Sequence, residues 1–176
     1  TIMQMDAGMD HGPILIQRHT DILPQDSAVS LHARLASLGA DTLAKIIPDY
    51  LAGRLKAVEQ DHSKATFTKL MKKDDARLSF QLPAEEVQRA VRAYYDWPCA
   101  WTILPNGKRL KILQASVKPM STPAIPGTLV IEDDTASIAC ADGLLTLLHV
   151  QVEGKNTTPA AEFARGYHTL NGQVCT

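Results

Sequence analysis

The fold is decided by residues 100–152, AWTILPNGKRLKILQASVKPMSTPAIPGTLVIEDDTASIACADGLLTLLHVQV. In this stretch, short runs rich in aliphatic and β-branched residues are separated by turn sequences that contain proline, glycine, asparagine or aspartate. The runs are Ala100–Leu104, Arg109–Val117, Gly127–Ile131, Ser137–Ala141 and Leu144–Val152. Short strands at this spacing predict a small Greek-key barrel.

Two helices are expected beside these strands. A helix should begin at Pro83 or Ala84, place Val87 and Val91 on one face, and end before Trp97-Pro98. A second, short helix is expected after the last strand, over residues 159–163. The C-terminal half of the chain therefore combines a sheet with a few helices.

The N-terminal part has a different pattern. Residues 1–5 and 14–19 predict two short strands that form a β-hairpin with a long polar tip. Asp26 or Ser27 is expected to cap a helix, Gly39 to interrupt it, and a second helical stretch to end at Gly53. This strand–strand–helix piece cannot close a core by itself, so we expect exposed apolar surface on it.

Composition and charge exclude several classes of protein. The 176 residues are 45% hydrophobic and 21% charged, which is typical of a soluble globular protein, and the sequence contains neither a membrane-spanning apolar run nor a signal peptide. Three cysteines without a CxxC pair argue against a zinc site or a disulfide scaffold and favour a cytoplasmic location. Residues 63–118 carry eleven Lys or Arg against five Asp or Glu, so a polyanionic partner and a solvated lysine-rich linker both remain open.

The loop between the first two strands is the best candidate for chemistry. Asp6 and Asp10 are flanked by Gly8 and Gly12, so a carboxylate can be presented where the backbone approaches a ligand closely. A single Asp-x-Gly is more often only a hairpin turn. The longer string, from Thr1-x-Met3-x-Met5-Asp6 to Asp10-x-Gly12-x-x-Leu15, is a denser pattern.

That string resembles the signature of the folate-dependent formyltransferases. The resemblance implies that Asp10 is the catalytic aspartate, and that Asp6 and Gly8 belong to the loop that lines the folate site. His11 departs from the family, in which Thr or Gly often follows the aspartate. The formyl donor implied is 10-formyltetrahydrofolate, and no metal is implied.

Three later segments resemble the methionyl-tRNA branch of that family: residues 69–80, 92–102 and 161–166. The resemblance implies a remnant of a Rossmann-like α/β formyltransferase domain over 1–60, a linker over 61–78 and a barrel of the oligonucleotide-binding (OB) type over 79–176. The amine acceptor would be initiator methionyl-tRNA, and the intact enzyme would be a monomer. No Asn-x-His or Ser-Leu-Leu-Pro segment of the family occurs in the sequence, so we expect this chain to be an incomplete, inactive part of the enzyme.

The resemblance also implies a polyanionic partner, tRNA, for the basic segment 63–118. We expect tRNA phosphates to be contacted by Lys64, Lys69, Lys72, Lys73, Lys108, Arg109 and Lys111. Two other interpretations remain open: a related formyltransferase that acts on a sugar-nucleotide amine, and a stand-alone RNA-binding module.

Overall fold

A computed structural model describes all residues from Thr1 to Thr176. The chain divides into two compact units, Thr1–Leu70 and Met71–Thr176, hereafter unit 1 and unit 2. The architecture is a small α+β fold in which the six pairings between strands are antiparallel and Arg77 adds one isolated parallel bridge to Trp101. No helix is both long enough and apolar enough to cross a membrane.

Unit 1 begins with a short hairpin. Strand β1 (Ile2–Met3) pairs with β2 (Ile14–Ile16), and both are shorter than the sequence predicts. Residue 14 also pairs with Val58 through two backbone hydrogen bonds of 2.8 and 2.9 Å, which brings the segment after the helix back to the hairpin.

One long helix follows the hairpin. Helix α1 (Ala28–Leu51) is capped by Ser27, whose hydroxyl accepts a hydrogen bond from the Ser30 amide, so of the two predicted caps, Asp26 and Ser27, the second is confirmed. The predicted break at Gly39 is wrong, because a single glycine weakens a helix by only about 1 kcal/mol and does not interrupt it. Gly53 follows the helix with φ +69°, the left-handed conformation expected of a terminating glycine.

Unit 2 is built on a six-stranded sheet. Its strands are β3 (Trp101–Ile103), β4 (Arg109–Pro119), β5 (Leu129–Glu132), β6 (Thr135–Ala139), β7 (Gly143–Val152) and β8 (Thr157–Pro159). The first five lie within a few residues of the predicted runs, and β8 was not predicted. The order is β3-β4-β7-β6-β5, and β8 pairs with the second half of β7.

The C-terminal tail connects the two edge strands of this sheet. Ile103 and Thr176 exchange two backbone hydrogen bonds of 2.7 and 2.9 Å. On the other side of the tail, the Leu129 amide donates to Gln173 and the Cys175 amide donates to Gly127, each at 2.8 Å. Backbone hydrogen bonds therefore run from β3 through the tail to β5, so neither edge is left open.

Two helices cover the sheet and complete the core of unit 2. Helix α2 (Ala84–Ala93) buries Val87 and Val91, as predicted, and α3 (Ala160–Tyr167) buries Phe163. The large side chains that are least accessible to solvent come mainly from β4, β5, β6 and β7, including Leu110, Ile112, Leu129, Ile138, Leu145 and Leu147. Three short 3-10 helices, His62–Lys64, Lys73–Ala76 and His168–Leu170, connect the larger elements.

Candidate functional site

The loop between β1 and β2, residues 6–13, forms a tight polar tip, hereafter the Asp10 loop. Its base is closed by the Gln4 amide, which donates to the Pro13 carbonyl at 2.9 Å. Gly12 is buried, and a Cβ placed on it would lie 1.8 Å from the Gln4 carbonyl oxygen. Only glycine fits there, because no other residue allows the two backbone segments to approach so closely.

Asp10 stands on the exposed face of this loop with φ +52°. This left-handed conformation is uncommon for a residue with a side chain, although aspartate tolerates it better than most. Asp10, which sequence reasoning selected as catalytic, is therefore held in a specific backbone conformation, and its carboxylate is open to solvent. Such a carboxylate can accept a proton or orient an imidazole or a water.

Asp6 points back into the loop. One of its carboxylate oxygens accepts a hydrogen bond from the Gly8 amide at 2.9 Å, and the other lies 2.7 Å from Nδ1 of His11. These two interactions, the one with His11 above all, lower the pKa of Asp6 below its ordinary value. Asp6 thus fixes the shape of the tip through contacts inside the loop. The tip is also tight at Gly8, where an added Cβ would lie 2.6 Å from the Cβ of His11.

Two side chains from the segment after the helix also meet this loop. The His62 ring stacks on the His11 ring, with centroids 3.8 Å apart and planes inclined by 4°. The Gln60 amide nitrogen donates to the carbonyl oxygens of Asp10 and Gly12, at 2.9 and 2.7 Å. Sequence reasoning missed both residues, because contacts between positions about fifty residues apart leave no periodic signal along the chain.

The arrangement of the His, Cys, Asp and Glu side chains and the burial of the cysteines bear on two further kinds of site. No group of three or more His, Cys, Asp or Glu side chains is arranged to hold a metal ion. All three cysteines are buried, and burial raises the pKa of Cys140 to about 11 and that of Cys175 to about 12. These thiols are protonated at neutral pH, so they are poor nucleophiles.

The basic residues selected from the sequence fall into both units. Lys64 and Lys69 lie in unit 1, where Lys64 pairs with Asp61 at 3.0 Å. The other five lie in unit 2: Lys72, Lys73, Lys108, Arg109 and Lys111. Arg109 and Lys111, on β4, line a groove with the last two residues of β7 and the first two of the turn that follows it, and Glu153 in that turn adds one negative charge.

A buried tryptophan organises the basic surface of unit 2. The guanidinium of Arg109 lies 4.2 Å from the Trp101 ring centroid, and that of Arg77 lies 5.6 Å from it. The indole N–H of Trp101 donates to the Lys73 carbonyl at 2.8 Å. Arg77, which sequence reasoning did not select, therefore lies against the same ring as Arg109.

Models of known families match both parts of the chain. Residues 70–168 match the formyl transferase C-terminal domain, and residues 1–47 match the formyl transferase domain. The chain belongs to the formyl transferase family. The Asp10 loop lies within the match over residues 1–47. Trp101 and the basic residues around it lie within the match over residues 70–168.

Curated members of the family resemble this chain along nearly its full length. It is 38% identical to the methionyl-tRNA formyltransferase of Myxococcus xanthus, over 98% of this chain and 54% of that protein. It is 40% identical to the methionyl-tRNA formyltransferase of Acidithiobacillus ferrooxidans, over 98% of this chain and 55% of that protein. The chain thus spans about half the length of the curated relatives it matches.

Solved structures share the fold at lower identity. HypX from Aquifex aeolicus, in complex with tetrahydrofolic acid, matches with a TM-score of 0.70 at 16% identity, over 92% of this chain and 28% of that one. An N-formyltransferase from Helicobacter canadensis, in complex with folinic acid and dTDP-3-aminofucose, matches with a TM-score of 0.61 at 18% identity, over 82% of this chain and 52% of that one.

Proposed function

We propose that this chain is the C-terminal part of an enzyme that transfers a formyl group from 10-formyltetrahydrofolate to the amino group of methionyl initiator tRNA. The observation that carries the proposal is the identity of 38–40% with methionyl-tRNA formyltransferases along 98% of the chain. The folate donor is supported by two structures with the same fold, HypX with tetrahydrofolic acid and an N-formyltransferase with folinic acid. A cytoplasmic monomer remains part of the proposal.

In this reaction the methionyl amine attacks the formyl carbon and a tetrahedral oxyanion forms. When that intermediate collapses, the bond from the carbon to the folate nitrogen breaks, and the proton lost by the attacking amine is passed to that nitrogen, which leaves as tetrahydrofolate. We assign the handling of this proton to Asp10, because its carboxylate is exposed on a loop whose backbone is fixed. Asp6 and Gly8 would shape the same loop beside the folate.

The proposed domain organisation follows from the family. Residues 1–60 would be the end of a Rossmann-like formyltransferase domain, 61–78 a linker and 79–176 an OB-type barrel. The barrel is supported by the C-terminal tail, whose hydrogen bonds to Ile103 and Leu129 join the two edge strands of the sheet.

We assign tRNA phosphate binding to the basic surface that contains Lys72, Lys73, Lys108, Arg109 and Lys111, together with Lys64 and Lys69 of unit 1. The support is the Arg109 guanidinium over the Trp101 ring, the backbone contact of Lys73 with the Trp101 indole, and Lys111 in the same groove as Arg109. Binding through phosphates should weaken steeply with salt. Unchanged tRNA binding by the intact enzyme after Lys72→Glu and Lys73→Glu would remove these lysines from the assignment.

The decisive experiment measures formyl transfer to methionyl-tRNA by the intact enzyme that contains this chain. Asp10→Asn should lower kcat by about 10²–10⁴, the usual contribution of a positioned acid–base group. Asp41→Asn, on the exposed surface of α1, is the matched control and should leave kcat unchanged. An undiminished kcat in Asp10→Asn would reject the assignment.

We expect the 176-residue chain alone to be inactive, because it has no Asn-x-His segment to stabilise the oxyanion. Formyl transfer by this polypeptide without further sequence would contradict that expectation.

A second candidate is formyl transfer to a sugar-nucleotide amine. It is favoured by the N-formyltransferase structure that holds dTDP-3-aminofucose. Offering the intact enzyme methionyl-tRNA and dTDP-3-aminofucose in parallel would separate the two acceptors. Salt-dependent filter binding of initiator tRNA without formylation of either acceptor would instead point to an RNA-binding module.

A further inference from the structure

The Asp10 loop has few contacts of its own that could fix its catalytic side chain. Inside the loop, the Asp6 carboxylate accepts a hydrogen bond from the Gly8 amide and interacts with Nδ1 of His11, and Asp10 itself is exposed. A polar tip of this length is costly to order, since each residue that is fixed in one conformation loses backbone entropy. Contacts from outside the loop are therefore needed to hold the backbone at Asp10.

Gln60 supplies such a contact from a distant part of the chain. Its single side-chain amide group donates to two carbonyl oxygens of the loop, those of Asp10 and Gly12. These carbonyls flank His11, so the two hydrogen bonds bracket the peptide units that follow the catalytic carboxylate. They restrain the backbone on the C-terminal side of Asp10. Because the side chain leaves that backbone, the restraint also limits the direction in which the Asp10 carboxylate points.

Gln60 is itself anchored on both sides. Two residues before it, Val58 exchanges backbone hydrogen bonds of 2.8 and 2.9 Å with Ile14, the first residue of β2. Immediately after it, Asp61 caps the 3-10 helix, accepting hydrogen bonds from the Ser63 hydroxyl at 2.6 Å and from its amide at 3.2 Å. The half-buried Gln60 side chain is thus presented to the loop by a segment with its own supports.

His62 provides a second point of contact on the same side. Its ring lies flat on that of His11, which is in turn hydrogen-bonded to Asp6. Residues 60 and 62 therefore hold both the backbone and a side chain of the loop. The same parallel stacking keeps the in-plane nitrogens of the two imidazoles from converging on one metal ion.

We infer that Gln60 is a positioning residue for the reaction: its amide fixes the loop backbone and so aims the Asp10 carboxylate, with His62 as an auxiliary support. The inference rests on the proposed function of Asp10. The loop requires two hydrogen bonds donated by residue 60. An apolar side chain of equal length should therefore not hold the loop, whereas a lysine, whose ammonium has three donors, should hold it.

The first test reads the loop and not the chemistry. Amide hydrogen exchange of Gln4 and Gly8 should become roughly tenfold faster in Gln60→Met, because two carbonyl contacts are lost, and should stay close to the original rate in Gln60→Lys. Gln173→Met, which removes a similar amide–carbonyl hydrogen bond to Thr169 in unit 2, is the matched control and should leave these two rates unchanged.

The second test uses the intact enzyme. Gln60→Met should lower kcat with little change in the KM for methionyl-tRNA, and Gln60→Lys should restore most of the loss. The inference is overturned if Gln60→Met leaves exchange unchanged, or if Met and Lys loosen the loop equally, which would mean that side-chain volume matters and donation does not.

The two proposals can fail separately. If Gln60→Met loosens the loop but Asp10→Asn retains full activity, the catalytic assignment fails while the support of the loop by Gln60 stands. If Asp10→Asn abolishes activity but Gln60→Met has normal kcat and normal exchange, Asp10 keeps its role and Gln60 loses its own.

Discussion

The two units of the chain bury their apolar side chains to very different extents. Every residue of the continuous hydrophobic core lies in unit 2, between Leu78 and Cys175. In unit 1, Ile46 is the one large apolar side chain that is buried, while Leu35, Leu43 and Leu51 of α1 are 47%, 43% and 78% exposed. An amphipathic helix gains most of its stability from packing its apolar face, and residues 1–70 do not cover that face.

The Asp10 loop and the basic surface around Trp101 are ordered in different ways. Trp101 and Arg109 lie on β3 and β4, strands that are fixed by the core of unit 2, so the geometry of the basic surface around them follows from hydrophobic packing. The Asp10 loop belongs to a unit with little core, and its geometry depends on polar contacts from Asp6, Gln60 and His62. Mutations should therefore disturb the two sites through different mechanisms.

The largest expected difference concerns the core. Leu145→Ala, at a fully buried position of β7, should lower the free energy of unfolding of unit 2 by about 4 kcal/mol, whereas Ile46→Ala should cost only about 2 kcal/mol because its surroundings can collapse around the smaller side chain. Tryptophan fluorescence during urea denaturation reports unit 2, which contains both Trp97 and Trp101. Amide exchange reports unit 1. If the two substitutions lowered the free energy of unfolding equally, the two units would not differ in how tightly they pack their apolar side chains.

A smaller effect is expected where the tail joins the sheet. Gly127 has φ +94°, and a Cβ there would lie 2.7 Å from the Cys175 carbonyl oxygen, so Gly127→Ala should destabilise unit 2 by about 2 kcal/mol. The measurement is again urea denaturation followed by tryptophan fluorescence. Gly154→Ala has a similar φ of +75° but open space around its Cβ, so it should cost less. If both variants cost the same, the tail contact contributes nothing and only the backbone conformation matters.

The smallest effect concerns the pKa of Asp6. Because its folded-state pKa lies below the ordinary value of 3.8, Asp6 contributes stability that is present above about pH 3.8 and is lost as the pH falls through the lowered pKa. In His11→Ala, the Asp6 pKa measured from its carboxyl carbon chemical shift should rise towards 3.8, and His19→Ala should leave it unchanged. An unaltered Asp6 pKa in His11→Ala would show that the Gly8 amide alone sets it.

Much of unit 2 could be predicted because its signals are local. Alternating apolar residues and turn sequences placed five strands and α2 within a few residues of their observed positions. β8 was missed, since a strand of three residues ending in proline has no alternation to detect and exists only through its pairing with β7. In unit 1 the break predicted at Gly39 failed because the penalty for one glycine is small compared with twenty-four residues of helix.

The family, the acidic loop with its glycines, a helix cap at Asp26 or Ser27 and the strand pattern of unit 2 could be predicted from the sequence, because each depends on residues that are neighbours in the chain. Which groups hold the loop and close the sheet depends on the folded chain. Gln60 reaches the carbonyls of Asp10 and Gly12, the tail reaches Ile103 and Leu129, and Arg77 reaches Trp101. Such contacts join positions far apart in sequence through single polar groups, and a hydrogen bond of that kind imposes no pattern on the residues between its ends.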